Sequence, residues 1–346
     1  MLLLAPNASG LHGVPMQFLS DNAARVHPSV WAAMQAADAP DTPYDTDALS
    51  KRMDAAFSAL FGRECAAIWV GTGTAANCLA LATMVEPHGG VICHREAHIE
   101  SDECGAPGFY LHGAKLLLAD GEGAKLTVSG VEAVLSGITR GIHQVQAHAI
   151  SVTQVSEYGL AYQPAELAAI GVLAGERSLG LHIDGARFAN AVAHLGCTPA
   201  EAAGPCDALS FGCTKNGAMD ADAIVFFDPA KADLARWRRK RAGHLHSKGR
   251  FLAAQILALI EGDLWLDLAR DANAAAAEVA SGAGERLLFA AQSNELFVRL
   301  DLAERAALRA QGFAFYDWDG ALVRLVTSWD TRPEHAAALS KAIAAL

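Results

Sequence analysis

The sequence predicts an α/β protein: a large domain built on a mostly parallel sheet, followed by a smaller α+β domain. Three observations carry this. Short apolar runs alternate with helical patterns through the first two thirds of the chain. Several of those runs are apolar on both faces, as parallel strands covered by helices are. From Phe251 onward the alternation lapses and long helices take over.

The elements follow in order. Cys65–Val70 (CAAIWV) reads as a strand, with a helix from about Ala75 to Met84. Ala149–Thr153 is a strand, then Pro164–Glu176 a helix with proline in its first turn, where no N–H is needed. Leu181–Asp184, Ala208–Phe211 and Ala223–Phe227 are three more strands. Phe251 to about Ala283 reads as long helices rich in Ala and Leu. Strands at Leu296–Leu300, Phe313–Tyr316 and Leu322–Val326 are mixed with helices at Leu302–Gln311 and from Pro333. This divides the chain into a large domain, 16–250, and a small C-terminal domain, 251–346. Residues 1–15 are expected to pack nearby or to be disordered.

Composition sets the class. A chain of 346 residues suits one large and one smaller core, and 52% hydrophobic with 19% charged residues is a globular balance. No apolar run reaches the roughly 18 residues of a membrane span. Met1–Ala5 is too short for a signal-peptide core and lacks a basic region before it, so the cytoplasm is the expected compartment. Seven cysteines, at 65, 78, 93, 104, 197, 206 and 213, are odd in number and form no CxxC. That argues against a disulfide framework and a structural zinc site. A net charge of −11 argues against nucleic acid as a partner.

Three stretches carry chemistry. Gly71-Thr72-Gly73-Thr74-Ala75-Ala76-Asn77 follows a strand and opens a helix. Free N–H groups at a helix N-terminus attract a phosphate. The turn begins like a dinucleotide fingerprint but ends in Asn77, and an ordinary strand–helix turn reads the same way. In His182-Ile183-Asp184-Gly185-Ala186-Arg187, the aspartate ends a buried strand, at the sheet mouth where α/β folds bind ligands. Its carboxylate could pair with the protonated ring nitrogen of pyridoxal 5′-phosphate (PLP), or with Arg187 as a helix cap. Arg187 could instead grip a substrate carboxylate with its planar fork. In Ser210-Phe211-Gly212-Cys213-Thr214-Lys215-Asn216-Gly217, a lysine follows a strand among turn-forming residues. Such a lysine can be a nucleophile toward carbonyls, or a solvated turn residue.

Taken together, the order Gly73–Asn77, His98, Asp184–Arg187 and Thr214–Gly217 resembles the threonine aldolase / β-eliminating lyase family, closest to its low-specificity L-threonine and phenylserine aldolase branch. Ser20-Asp21-Asn22, the run Cys93–Pro107, Thr153-Gln154 with Glu157, and Arg324–Asp330 support it. The resemblance implies the aspartate-aminotransferase-like PLP fold (type I). It implies that Lys215 forms the Schiff base, Asp184 pairs with the pyridinium, Gly73 and Thr74 hold the phosphate, and His98 stacks on the ring. Ser20, Arg187 and Arg324 would bind the substrate α-carboxylate. His143 falls where the family has a second active-site histidine, near the substrate hydroxyl, with a poor local match.

The implied reaction is cleavage of L-threonine, L-allo-threonine or phenylserine to glycine and an aldehyde, with His98, His143 or a water as base. Dimers or tetramers with shared sites are implied too. A cation from Arg236–Arg250 could then reach a neighbour's phosphate, although a solvated helix face explains that cluster as well. Tyr44–Asp47 falls in a region the family uses near that interface. Three alternatives stand beside this reading: another PLP reaction such as elimination or transamination, a nicotinamide-dependent oxidoreductase, and a metal-binding protein built on His94, His98, Asp102, Glu103 and Cys104. Their spacing is irregular for ligands, so no metal is expected.

Overall fold

The computed structural model describes residues 16–346; the expectation for residues 1–15 lies outside them. The strands in chain order are β1 (Met16–Gln17), β2 (Ala66–Val70), β3 (Gly89–His94), β4 (Lys115–Ala119), β5 (Gln146–Thr153), β6 (Gly180–Gly185), β7 (Ala208–Phe211), β8 (Asp222–Phe226), β9 (Glu295–Arg299), β10 (Phe313–Ala314), β11 (Tyr316–Asp317) and β12 (Leu322–Val326). Seven of them form one sheet in the order β2-β8-β7-β6-β5-β3-β4. Four pairings are parallel, and β8 runs antiparallel to both its neighbours.

That sheet has the mostly parallel character that the two-faced apolar runs predict. β2, β3, β7 and β8 are buried along their whole length. The β2 edge is closed by a long-range pairing, Ala66 opposite Phe226, that no local pattern announces. β3 and β4 carry no clear period and went unrecognised in the sequence. β3 opens on two glycines, and β4 is the short run KLLLA.

The second sheet has the order β11-β12-β9 and is antiparallel. Its core gathers Phe18, Leu296, Val298, Leu308, Val323 and Leu339. The helix Arg250–Ile260 follows the expected domain boundary, yet its apolar face (Leu252, Ile256, Leu259) packs into the core of the large sheet. The helix Leu264–Ala283 serves both cores. Trp265, Leu268 and Ala269 belong to the large one, and Ala276, Val279 and Ala283 to the small one.

No helix among the described residues is long and apolar enough to cross a membrane. All seven cysteines are unpaired.

Candidate active site

The C-terminal ends of β5, β6 and β7 and the turn after β2 surround a cavity of about 340 Å³. This is the crevice at which open α/β sheets take their ligands. Gly73, Thr74, His98, Asp184, Arg187 and Lys215 all line it.

The phosphate-type turn is built as its residues suggest. Thr72 is extended (φ −149°, ψ 150°) and its Oγ1 accepts from the N–H of Ala75 at 3.1 Å, capping the helix Gly73–Leu81. The space beside the Gly73 Cα is open to 4 Å, so the backbone there is free to meet an anion.

Asp184 is buried at the end of β6. One oxygen accepts from the Ala186 N–H at 3.0 Å and the other from Asn77 Nδ2 at 2.7 Å. Lys215 sits in the short turn Thr214–Asn216, directly after β7. The turn is fixed from below by buried Asp222, which accepts from the N–H groups of Cys213 (2.7 Å) and Thr214 (3.1 Å) and from Thr214 Oγ1 (3.2 Å). It is also fixed from the side, where Asn216 Nδ2 donates to the Trp265 carbonyl at 2.8 Å. Gly217 closes it at φ +97°, the left-handed region where a side chain is strained.

His98 opens a short helix, His98–Ser101, and its ring is about one third exposed to the cavity. Its Nδ1 lies 3.1 Å from the fully buried carboxylate of Glu103. Its backbone N–H donates to Glu157 at 3.0 Å. Burial opposes the charged ring. The hydrogen bond to Glu103 and the charges of Asp184 and Glu157 outweigh it and hold His98 above its ordinary pKa. Glu157 lines the cavity too, and burial together with the Asp184 charge pushes its carboxyl up to about 7.

The carboxylate-binding candidates are arranged less simply. Arg187 is clamped side-on by buried Asp21 (2.7 and 3.0 Å) and held from the other side by Glu295 (2.9 Å). Arg324, on β12, faces the other oxygen of Glu295 at 3.4 Å and does not line the cavity. Ser20 caps the turn Asp21–Ala23, its Oγ accepting from the Asn22 N–H at 3.2 Å; Asn22, not Ser20, reaches the cavity wall.

Two expectations meet a different geometry. His143 is exposed in the turn Gly141–His143, before the N-terminal end of β5, whereas the cavity lies at the opposite end of that strand. The chain therefore does not bring His143 to its own cavity. In the basic cluster, Arg239 is buried and used internally: it pairs with Asp45, donates to the Trp69 carbonyl at 3.1 Å and lies 4.4 Å over the Trp69 ring. Tyr44, next to Asp45, is bonded through its N–H to the Ser247 carbonyl, so this loop and the cluster hold each other within one chain.

Asn77, Asp222 and Glu295 had no assigned roles in the sequence, and Glu103 entered only as a ligand in the metal-binding alternative. Glu103 and Asn77 stood inside recognised motifs. Their function was hidden because their partners are 26 or more positions away, or across a turn.

Fold and site together define a PLP-type α/β enzyme, and residues 17–302 match the family described as beta-eliminating lyase. The chain belongs to that family. It is 41% identical over 335 residues to a low-specificity L-threonine aldolase of Pseudomonas aeruginosa, covering 94% of this chain and 96% of that protein. Among solved structures, a Leishmania major threonine aldolase superposes with a TM-score of 0.90 at 27% identity, over 95% of this chain and 98% of that one. An aspartate aminotransferase of Rhodobacter sphaeroides shares the fold, with a TM-score of 0.71 at 16% identity over 98% and 95% of the two chains. The expected fold type and family are both borne out.

Proposed function

We propose that this chain carries out PLP-dependent retro-aldol cleavage of L-β-hydroxy-α-amino acids (L-threonine, L-allo-threonine, phenylserine), giving glycine and an aldehyde. The observation that carries it is the convergence of the capped turn at Gly73, Asp184, Lys215 and His98 on one cavity, in a chain closely similar to an aldolase. The residues fit PLP by their chemistry. An open helix N-terminus suits a phosphate, a buried carboxylate on fixed hydrogen bonds suits a pyridinium, and a lysine on a rigid turn suits an aldehyde.

When bound, PLP supplies the electron sink for the Cα–Cβ cleavage. The protein does the rest. Gly73 and Thr74 would hold the phosphate, Asp184 would keep the ring nitrogen charged, and Lys215 would be the nucleophile. Arg187, on the cavity wall, would receive the substrate carboxylate, with Arg324 joined to it through Glu295 as the second arginine for that group and Ser20 fixing the segment beside them. His98, on the cavity wall, would face the ring, and its Nε2 would take the proton from the β-hydroxyl. Residues 16–250 form most of the cofactor-binding domain, with residues 252–269 completing its core, and the rest of 251–346 forms the small one.

The protein acts in the cytoplasm, as a homodimer or homotetramer with shared sites. The unpaired cysteines support the compartment. Phe109, Trp237 and Ile142, which are 79, 79 and 98% exposed, support a surface covered by another copy.

The test is aldehyde release from the three substrates by PLP-loaded protein, beside Lys215→Ala. Aldehyde and glycine from the parent and none from the variant is the expected result. Visible cofactor absorbance without aldehyde would move the function to another PLP reaction, elimination or transamination.

A further inference from the structure

We propose that Glu103 is a positioning residue for the aldolase reaction: it holds the proton of the neutral His98 ring on Nδ1, so that Nε2 is the free nitrogen that meets the substrate, and it strengthens that nitrogen as a base. The inference deepens the function proposed above and rests on it.

Glu103 lies in the turn that follows His98–Ser101, with its side chain fully buried. A carboxylate taken from water at such cost must be held by donors. Three groups reach it. His98 Nδ1 lies 3.1 Å from Oε1, Asn77 Nδ2 donates to the same oxygen at 3.0 Å, and the Cys78 thiol lies 3.8 Å from Oε2. A carboxylate only accepts, so the Nδ1 facing it must carry the proton. In the neutral ring that leaves Nε2 as the acceptor, on a side chain that lines the cavity.

This is the division of labour of a carboxylate–histidine pair: the acid orients and the histidine reacts. The same Asn77 amide donates at 2.7 Å to Asp184. Glu103, Asn77 and Asp184 therefore form one hydrogen-bonded chain, from the group that removes a proton to the group that faces the cofactor ring. Asn77 Oδ1 is buried without a partner, so the amide orientation is dictated by the two carboxylates.

The charged groups around His98 come from four elements: Glu103 beside its own helix, Glu157 after β5, Asp184 on β6 and Lys215 after β7. Glu103 is the one of these bonded to the ring. Replacing it with glutamine keeps shape and an acceptor but removes the charge, leaving the others in place.

The experiment compares PLP-loaded parent, Glu103→Gln and Glu103→Asp. One readout is NMR titration of the histidine rings, with His98 assigned by the resonance missing in His98→Asn. The other is the pH profile of aldehyde release. In Glu103→Gln the His98 midpoint should fall by about one unit, and the acid limb of kcat/KM should fall with it. kcat should drop at least about tenfold while KM stays within about twofold, and Glu103→Asp should recover part of both shifts. An unchanged His98 midpoint in Glu103→Gln overturns the proposal. So does a shifted midpoint with an unmoved pH profile, because Glu103 would then tune a ring the reaction does not use. If the parent releases no aldehyde, the functional reading fails, and the NMR titration still decides whether Glu103 governs His98.

Discussion

At the scale of single residues, the two arginines proposed for the substrate carboxylate differ in what else they do. Arg187 neutralises two buried carboxylates, Asp21 and Glu295, and Arg324 shares only the second. Arg187→Ala therefore leaves buried Asp21 without its cation and Glu295 with Arg324 alone, and should cost about 3–5 kcal/mol of stability, read by denaturant unfolding. Arg324→Ala should fold well and raise KM at least about tenfold with a smaller change in kcat, read by steady-state kinetics. If Arg187→Ala kept substrate affinity, its carboxylate role would be lost.

Glu157 gives a pH prediction. Its carboxyl, raised to about 7, is favoured protonated in the folded chain. Its stabilising contribution is complete below the unfolded value near 4.5 and is lost as pH rises through about 7. Glu157→Gln keeps an acceptor for the His98 N–H and cannot ionise. The cofactor-free variant should melt a few degrees above the parent at about pH 8 and close to it at about pH 4.5. Equal melting at both would show that Glu157 ionises freely.

At the scale of elements, the helix Pro164–Glu176 and the strands Ala208–Phe211 and Leu322–Val326 match their sequence readings residue for residue, because proline, a two-faced apolar run or turn signals bound each one. β3 escaped notice because six residues buried on both faces carry no period, and β4 because three consecutive half-buried leucines show no alternation. Site residues were legible where the chemistry is local: a lysine after a strand, an aspartate at a strand end, a glycine turn. Glu295 and Asp222 were not, since nothing in their own neighbourhoods points to Arg187 or to the Lys215 turn.

The close packing of turns at the cavity floor also yields a test. A Cβ on Gly212 would stand 2.5 Å from the Ala186 carbonyl oxygen and 2.7 Å from the Ala186 Cα, both backbone atoms that cannot swing away. Gly212→Ala should push the β6 and β7 turns apart. It should cost about 1–3 kcal/mol and weaken PLP retention, measured by unfolding and by cofactor loss on dialysis.

At the scale of the whole molecule, the two cores are joined by one helix. Leu264–Ala283 packs Trp265 between Phe188 and Phe211, at centroid distances of 6.3 and 5.4 Å, and delivers Val279 and Ala283 to the small sheet. The carboxylate Glu295 on β9 couples the two parts a second time through Arg187. A chain cut after residue 262 should not yield a stable large sheet, and proteolysis should digest it throughout, where two independent domains would leave a resistant core.

The bond from Asn216 to the Trp265 carbonyl has a consequence for the order of events during synthesis. Lys215 leaves the ribosome about 50 residues before the tryptophan that steadies its turn, an interval on the order of several seconds at cellular elongation rates. Through that interval the nascent chain carries a lysine whose turn is not yet held. Capture of the vitamin-derived cofactor in its final geometry is therefore a late event, belonging to the nearly finished polypeptide.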